Sequence, residues 1–60
     1  MTEAEAKKAI AAGSVFKVED RDDDIWRIDL PELNRSVDVH ATSEAEAQAK
    51  AIEFLVNESR

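Results

Sequence analysis

No cysteine occurs in this chain, and glycine and proline occur once each. Without cysteine there is neither a disulfide staple nor a thiolate metal site. Aromatic residues are just as scarce: Phe16, Trp26 and Phe54, with no tyrosine. No apolar run approaches the ~20 residues that a membrane-spanning helix needs. Met1 to Lys8 alternate charge with alanine and contain no apolar stretch of the kind that forms a signal peptide. A cytoplasmic location is therefore expected. Positive charge is short as well: 8 Lys and Arg face 14 Asp and Glu, for a formal net charge of -6.

What remains is a 60-residue chain with a hydrophobic fraction of 43% and a charged fraction of 37%. That balance is too apolar for a disordered acidic tail and fits one folded domain with a charged surface. The core must be thin, because a domain of this size buries only about 60% of its unfolded surface. Compact two-layer packing or a homo-oligomer that extends the core is expected.

The order of elements is legible. Thr2-Glu3-Ala4-Glu5 reads as a capping box that opens a short helix. Ala6, Ala9 and Ile10 share one face of it, and Gly13 closes it. Ser14 to Glu19 reads as a strand with Phe16 and Val18 directed inward. The polar run Glu19 to Asp24 forms a turn of hairpin length. Ile25 to Leu30 alternates cleanly, with Trp26, Ile28 and Leu30 on one side and Ile25, Arg27 and Asp29 on the other. Trp26 is expected to anchor the core. Pro31 ends that strand. Arg35 to Ala41 is the third strand, with Val37, Val39 and Ala41 inward. Ser43-Glu44-Ala45-Glu46 is a second capping box. It opens a helix to about Asn57, with Ala45, Ala49, Ile52, Leu55 and Val56 as its apolar stripe.

The expected architecture is α+β: helix, three-stranded antiparallel sheet, helix (αβββα), with both helices on one face of the sheet. The covered face would carry Phe16, Val18, Trp26, Ile28, Leu30, Val37 and Val39. The open face would carry Lys17, Glu19, Arg27, Asp29, Ser36, Asp38 and His40.

The motifs that suggest catalysis or metal binding fail on spacing. Asp20-x-Asp22-x-Asp24 begins like a calcium loop, but Ile25 and Pro31 stand where the loop needs glycine and a bidentate glutamate. Ser36, Asp38 and His40 alternate along a strand, about 6.6 Å apart in succession. Direct hydrogen bonding in a triad needs about 3 Å. The residues thus supply no catalytic constellation, and neither an enzyme nor a cofactor is expected. The element order is also that of the double-stranded-RNA-binding domain. That module uses cations against phosphate, whereas the matching helix here starts with Glu44 and Glu46. No direct nucleic-acid contact is expected.

The acidic residues are concentrated rather than dispersed, running from Glu19 to Asp24 and on through Asp29, Glu32 and Asp38. They suit a basic protein partner, since complementary charge speeds encounter and fixes register. Asp20, Asp22, Asp23, Asp24, Arg27, Asp29, Asp38 and Phe54 are the candidate partner-binding residues. Phe54 falls beside the helix stripe, which fits either the core edge or an interface anchor.

Three segments carry a resemblance to a known family. They are Ile25-Trp26-Arg27-Ile28-Asp29-Leu30, the turn Pro31-Glu32-Leu33, and Thr42-Ser43-Glu44-Ala45-Glu46-Ala47. From residue 15 to residue 56 the chain resembles the HicB-like antitoxin fold, with Trp26, Pro31, Glu44 and Ala45 as the matching positions. Asn34 and Arg35 stand where that family usually has a further proline and glycine, and the leading helix is an addition. The resemblance implies neutralisation of a small, basic RNA-cleaving toxin. Small phage inhibitors of host nucleases, anti-CRISPR proteins among them, are similar in size and charge. A homodimer built on the open sheet face or an edge strand is the third arrangement that the composition fits.

Overall fold

The computed structural model describes residues 1–19 and 24–58. Its elements are α1 (Glu3–Ala11), β1 (Ser14–Lys17), β2 (Ile25–Leu30), a 3-10 turn (Pro31–Leu33), β3 (Arg35–His40) and α2 (Glu44–Glu58). The strands form one antiparallel sheet in the order β1-β2-β3. Both helices pack on one face of it, as the alternation in β2 and β3 requires. Among the described residues, no helix is long and apolar enough to cross a membrane.

Each helix is opened by its cap. The Thr2 hydroxyl accepts from the Glu5 N–H at 3.2 Å, and the Glu5 carboxylate accepts from the Thr2 N–H at 2.9 Å. Both halves of the first capping box are therefore formed. The second is half a box. Ser43 Oγ accepts from the Glu46 N–H at 3.2 Å. The Glu46 carboxylate turns instead to the Thr42 hydroxyl and the Lys50 ammonium, at 3.2 and 3.3 Å.

Between β2 and β3, Pro31 starts the 3-10 turn and Asn34 ends it in the left-handed region, at φ 53° and ψ 43°. Its N–H donates to the Pro31 carbonyl at 3.2 Å. Asparagine is one of the few residues that adopt this conformation at little cost.

The core is small in both number and size of side chains. Ile28 and Leu30 are its largest fully buried residues. Around them stand Ala6, Ala9 and Ile10 of α1, Val37 of β3, Ala41, and Ala47, Ala51 and Leu55 of α2. The buried line of α2 is thus Ala47, Ala51 and Leu55, at i, i+4 and i+8. Ile52 and Val56 are half-buried beside it, and Ala45 and Ala49 are exposed. The helix is rotated from the expected stripe, with its small residues toward the sheet and the other helix. Methyl-sized side chains allow such close approach. Trp26 is half-buried and packs against the core from its margin, with Nε1–H donating to the Ala41 carbonyl at 3.1 Å. Ile28 and Leu30, rather than Trp26, anchor the core.

The strand register corrects the expected face of β1. Ser14 pairs with Asp29, Val15 with Ile28, Phe16 with Arg27, and Lys17 with Trp26. Val15 therefore faces the helices, while Phe16 and Val18 lie on the open face. The cause is local. A methyl group on Gly13 would sit 1.8 Å from the Asp29 carbonyl oxygen. The backbone of the α1–β1 turn is thus pressed against β2, which sets Ser14 opposite Asp29 and fixes the parity of every later residue in β1. Gly13 has no positive φ. Its role is this close approach, not a left-handed helix cap.

Gly13→Ala is accordingly expected to lose on the order of 2–3 kcal/mol of stability, as overpacking against immobile backbone does. Urea denaturation followed by circular dichroism measures it. A variant as stable as the parent would show that β1 is not pinned at this point.

Candidate functional site

Three cross-strand rows make up the open face. Ser14, Asp29 and Ser36 form one end, and Phe16, Arg27 and Asp38 form the middle. Val18, Ile25 and His40 form the hairpin end, where the Val18 N–H donates to the Ile25 carbonyl at 2.9 Å. This face is less polar than expected. Ile25 is buried although it stands apart from the main core cluster, and Val18 is half-buried. Phe16 is 45% exposed, one of two large apolar side chains in that condition among the described residues. Its direct neighbour on β2 is Arg27, whose Nε and Nη2 donate to the Asp38 carboxylate at 2.9 and 3.3 Å. That bond raises the Arg27 pKa. The result is an exposed ring beside a locked, planar ion pair.

The candidate residues now separate into groups. Arg27, Asp29 and Asp38 are brought together on the open face. Asp24, just before β2, sits 3.7 Å from the Lys17 ammonium. Asp20, Asp22 and Asp23 lie outside the described residues. Phe54 belongs to a different place altogether. It is 44% exposed, so it is not core, and it lies on the helix side of the sheet. There the Arg35 guanidinium stands 5.9 Å from the centre of its ring. Arg35 also makes a two-pronged bond to Glu58, the longer contact being 3.1 Å. A groove of 730 Å³ runs beside Phe54 between β3 and α2, lined also by Val39, Lys50, Glu53 and Asn57.

Phe16 and Arg35 are the residues that sequence reasoning missed. The sequence points Phe16 to the core because phenylalanine alternating in a strand ordinarily faces inward. The signal that could have found it is the Gly13-Ser14 junction, which makes Val15 the first inward residue. Ser36, Asp38 and His40 share the open face but form no triad, and the Asp38 carboxylate is held by Arg27. Among the described residues, no group of three or more His, Asp or Glu is placed to hold a metal ion.

The charge is distributed unevenly. Among the described residues, Lys7, Lys17, Arg27, Arg35 and Lys50 each stand in an ion pair. No ion pair among the described residues includes Glu19, Asp29, Glu32, Glu44 or Glu53, so part of the negative charge lies outside these pairs. Compared with known proteins, the chain matches no family model, no curated protein and no solved structure.

Hydrogen bonds lower the pKa values of carboxylates among the described residues. Glu5 is lowered first by the Thr2 N–H, Glu46 by Lys50 and then Thr42, and Glu58 by Arg35. A carboxylate that holds its charge more strongly when folded adds stability above its unfolded pKa. That contribution is lost as pH falls through the folded value. Thermal stability is therefore expected to decline once pH drops below the ordinary glutamate range, about 4.3. Glu58→Gln should make the decline shallower in thermal melts across that range. An identical acid profile for this variant and the parent would contradict the assignment.

Proposed function

We propose that the protein is an acidic binding module that inhibits or sequesters a basic, nucleic-acid-processing protein through the open face of its sheet. The observation that carries this reading is Phe16. A half-exposed aromatic ring stands beside the Arg27–Asp38 pair, next to the half-buried Val18 and with Asp29 in the adjoining row. Aromatic and arginine side chains dominate the energetics of protein interfaces. Surrounding carboxylates steer a cationic partner into place. The net charge of -6 opposes binding to phosphate backbones. No catalytic step is part of this proposal.

Within that reading, the resemblance of residues 15–56 to HicB-like antitoxins favours a small RNA-cleaving toxin as the basic partner. A phage-type inhibitor of a host nuclease is the second form of the same chemistry. The two differ in the partner they would hold, not in the surface used.

The experiment is affinity capture from the source organism with the parent chain and two variants, Phe16→Ala and Asp29→Lys. A basic protein should be recovered by the parent and released as salt rises, because charge steering is screened. Phe16→Ala should weaken binding of the purified partner about tenfold or more, as loss of a central aromatic does. Asp29→Lys should slow association. Equal binding by all three chains, or capture of an acidic partner, would overturn the proposal.

A further inference from the structure

A domain of this size ordinarily needs reinforcement beyond its own core, in the form of disulfides, a structural metal or oligomerisation. The first is absent because the chain has no cysteine. For the second, the described residues offer no ligand cluster. Their core has only Ile28 and Leu30 as large, fully buried side chains, and alanines make up much of the rest. Oligomerisation is a further form of support, and the structure has a place for it.

That place is the outer edge of β3. The strand order gives β3 one neighbour, β2, and among the described residues no strand lies beyond it. The phase of its main-chain groups follows from one bond. The Ala41 N–H donates to the Asp24 carbonyl at 2.9 Å, in the same register as Ile25 opposite His40. In an antiparallel pair, alternate residues turn their N–H and C=O toward the partner strand. Ala41, Val39 and Val37 therefore turn toward β2, and His40 and Ser36 turn outward. The His40 carbonyl confirms the phase, since it accepts from the Lys50 ammonium outside the sheet at 2.6 Å. The groove holding the exposed Phe54 ring runs along this same edge. An edge with outward amides beside a groove that holds an exposed aromatic ring suits an added strand. Lys50 covers this edge at the His40 carbonyl, and an edge left uncovered elsewhere invites unspecific pairing.

We infer that a second copy of this chain covers the edge, with the two β3 strands antiparallel about a two-fold axis and the sheet continuing from one copy into the other. The arrangement is isologous, so one outward amide pattern serves both sides. Each copy also brings its own Phe54 groove to the joint, and the α2 helices flank it on the same face. The groove carries both signs of charge, with Lys50 and Glu53 on its walls and the Arg35–Glu58 pair at Phe54. A copy of itself is thus a better match there than a uniformly basic strand. The inference stands apart from the proposed partner surface, which lies on the opposite face.

The two surfaces respond to salt in opposite directions. Two chains of formal charge -6 repel, so screening strengthens dimerisation. Binding to a basic partner is weakened by the same salt. Sedimentation equilibrium of the parent chain from low to high micromolar concentration, at low and high salt, reads this directly. The expected result is a dimer whose association tightens with salt. Phe54→Glu and Ser36→Pro should each weaken it about tenfold or more, while circular dichroism remains as in the parent. Ser36→Pro removes an outward N–H that β2 does not use. A strict monomer at every concentration and salt would overturn the inference, with no variant needed. So would a dimer indifferent to both substitutions.

Discussion

The approach of the Gly13 backbone to the Asp29 carbonyl governs more of this molecule than any other contact. It joins the end of the first helix to the middle strand with no side chain between them. Once Ser14 stands opposite Asp29, Val15 must face the helices and Phe16 must face outward. A single backbone contact therefore decides which residue of β1 enters the core and which is displayed beside Arg27. Because side chains alternate along a strand, a slip of one residue would exchange these roles completely.

The alanines set the thickness of the domain. Ala6 on α1 and Ala47 and Ala51 on α2 have no exposed surface. They let the helices lie close to each other and to the sheet, so that two large side chains suffice to fill the centre. Such a core has little redundancy. The five ion pairs described above are all at the surface, where pairing contributes modestly. They organise side chains more than they hold the fold. Arg27–Asp38 orders the open face, Arg35–Glu58 holds the guanidinium beside Phe54, and Lys50 bridges α2 to the end of β3.

Much of the fold could be read directly. The alternation of Ile25 to Leu30 gave the middle strand its faces, and Thr2-x-x-Glu5 marked the first helix with both reciprocal bonds. Pro31 ended β2 at the position read. The face of β1 was not legible, because Phe16 and Val15 are both apolar and only the tertiary contact at Gly13 chooses between them. The buried stripe of α2 is hidden in the sequence for a related reason. Hydrophobicity ranks Ile52 and Val56 above Ala47 and Ala51, but close helix packing selects for small volume. As for the candidate site, Arg27, Asp29 and Asp38 were recognisable from strand parity. The exposed state of Phe16 and the Arg35–Phe54 contact depend on register and helix rotation, which composition does not carry.

The indole of Trp26 has a consequence of another kind. It is the one tryptophan in a chain without tyrosine. Its N–H is tied to the Ala41 carbonyl, at the step from β3 into α2. Near-ultraviolet light is therefore absorbed almost wholly at one address in the molecule. Emission from that ring reports the closing of a single junction, so the protein carries its own optical probe where sheet and second helix meet.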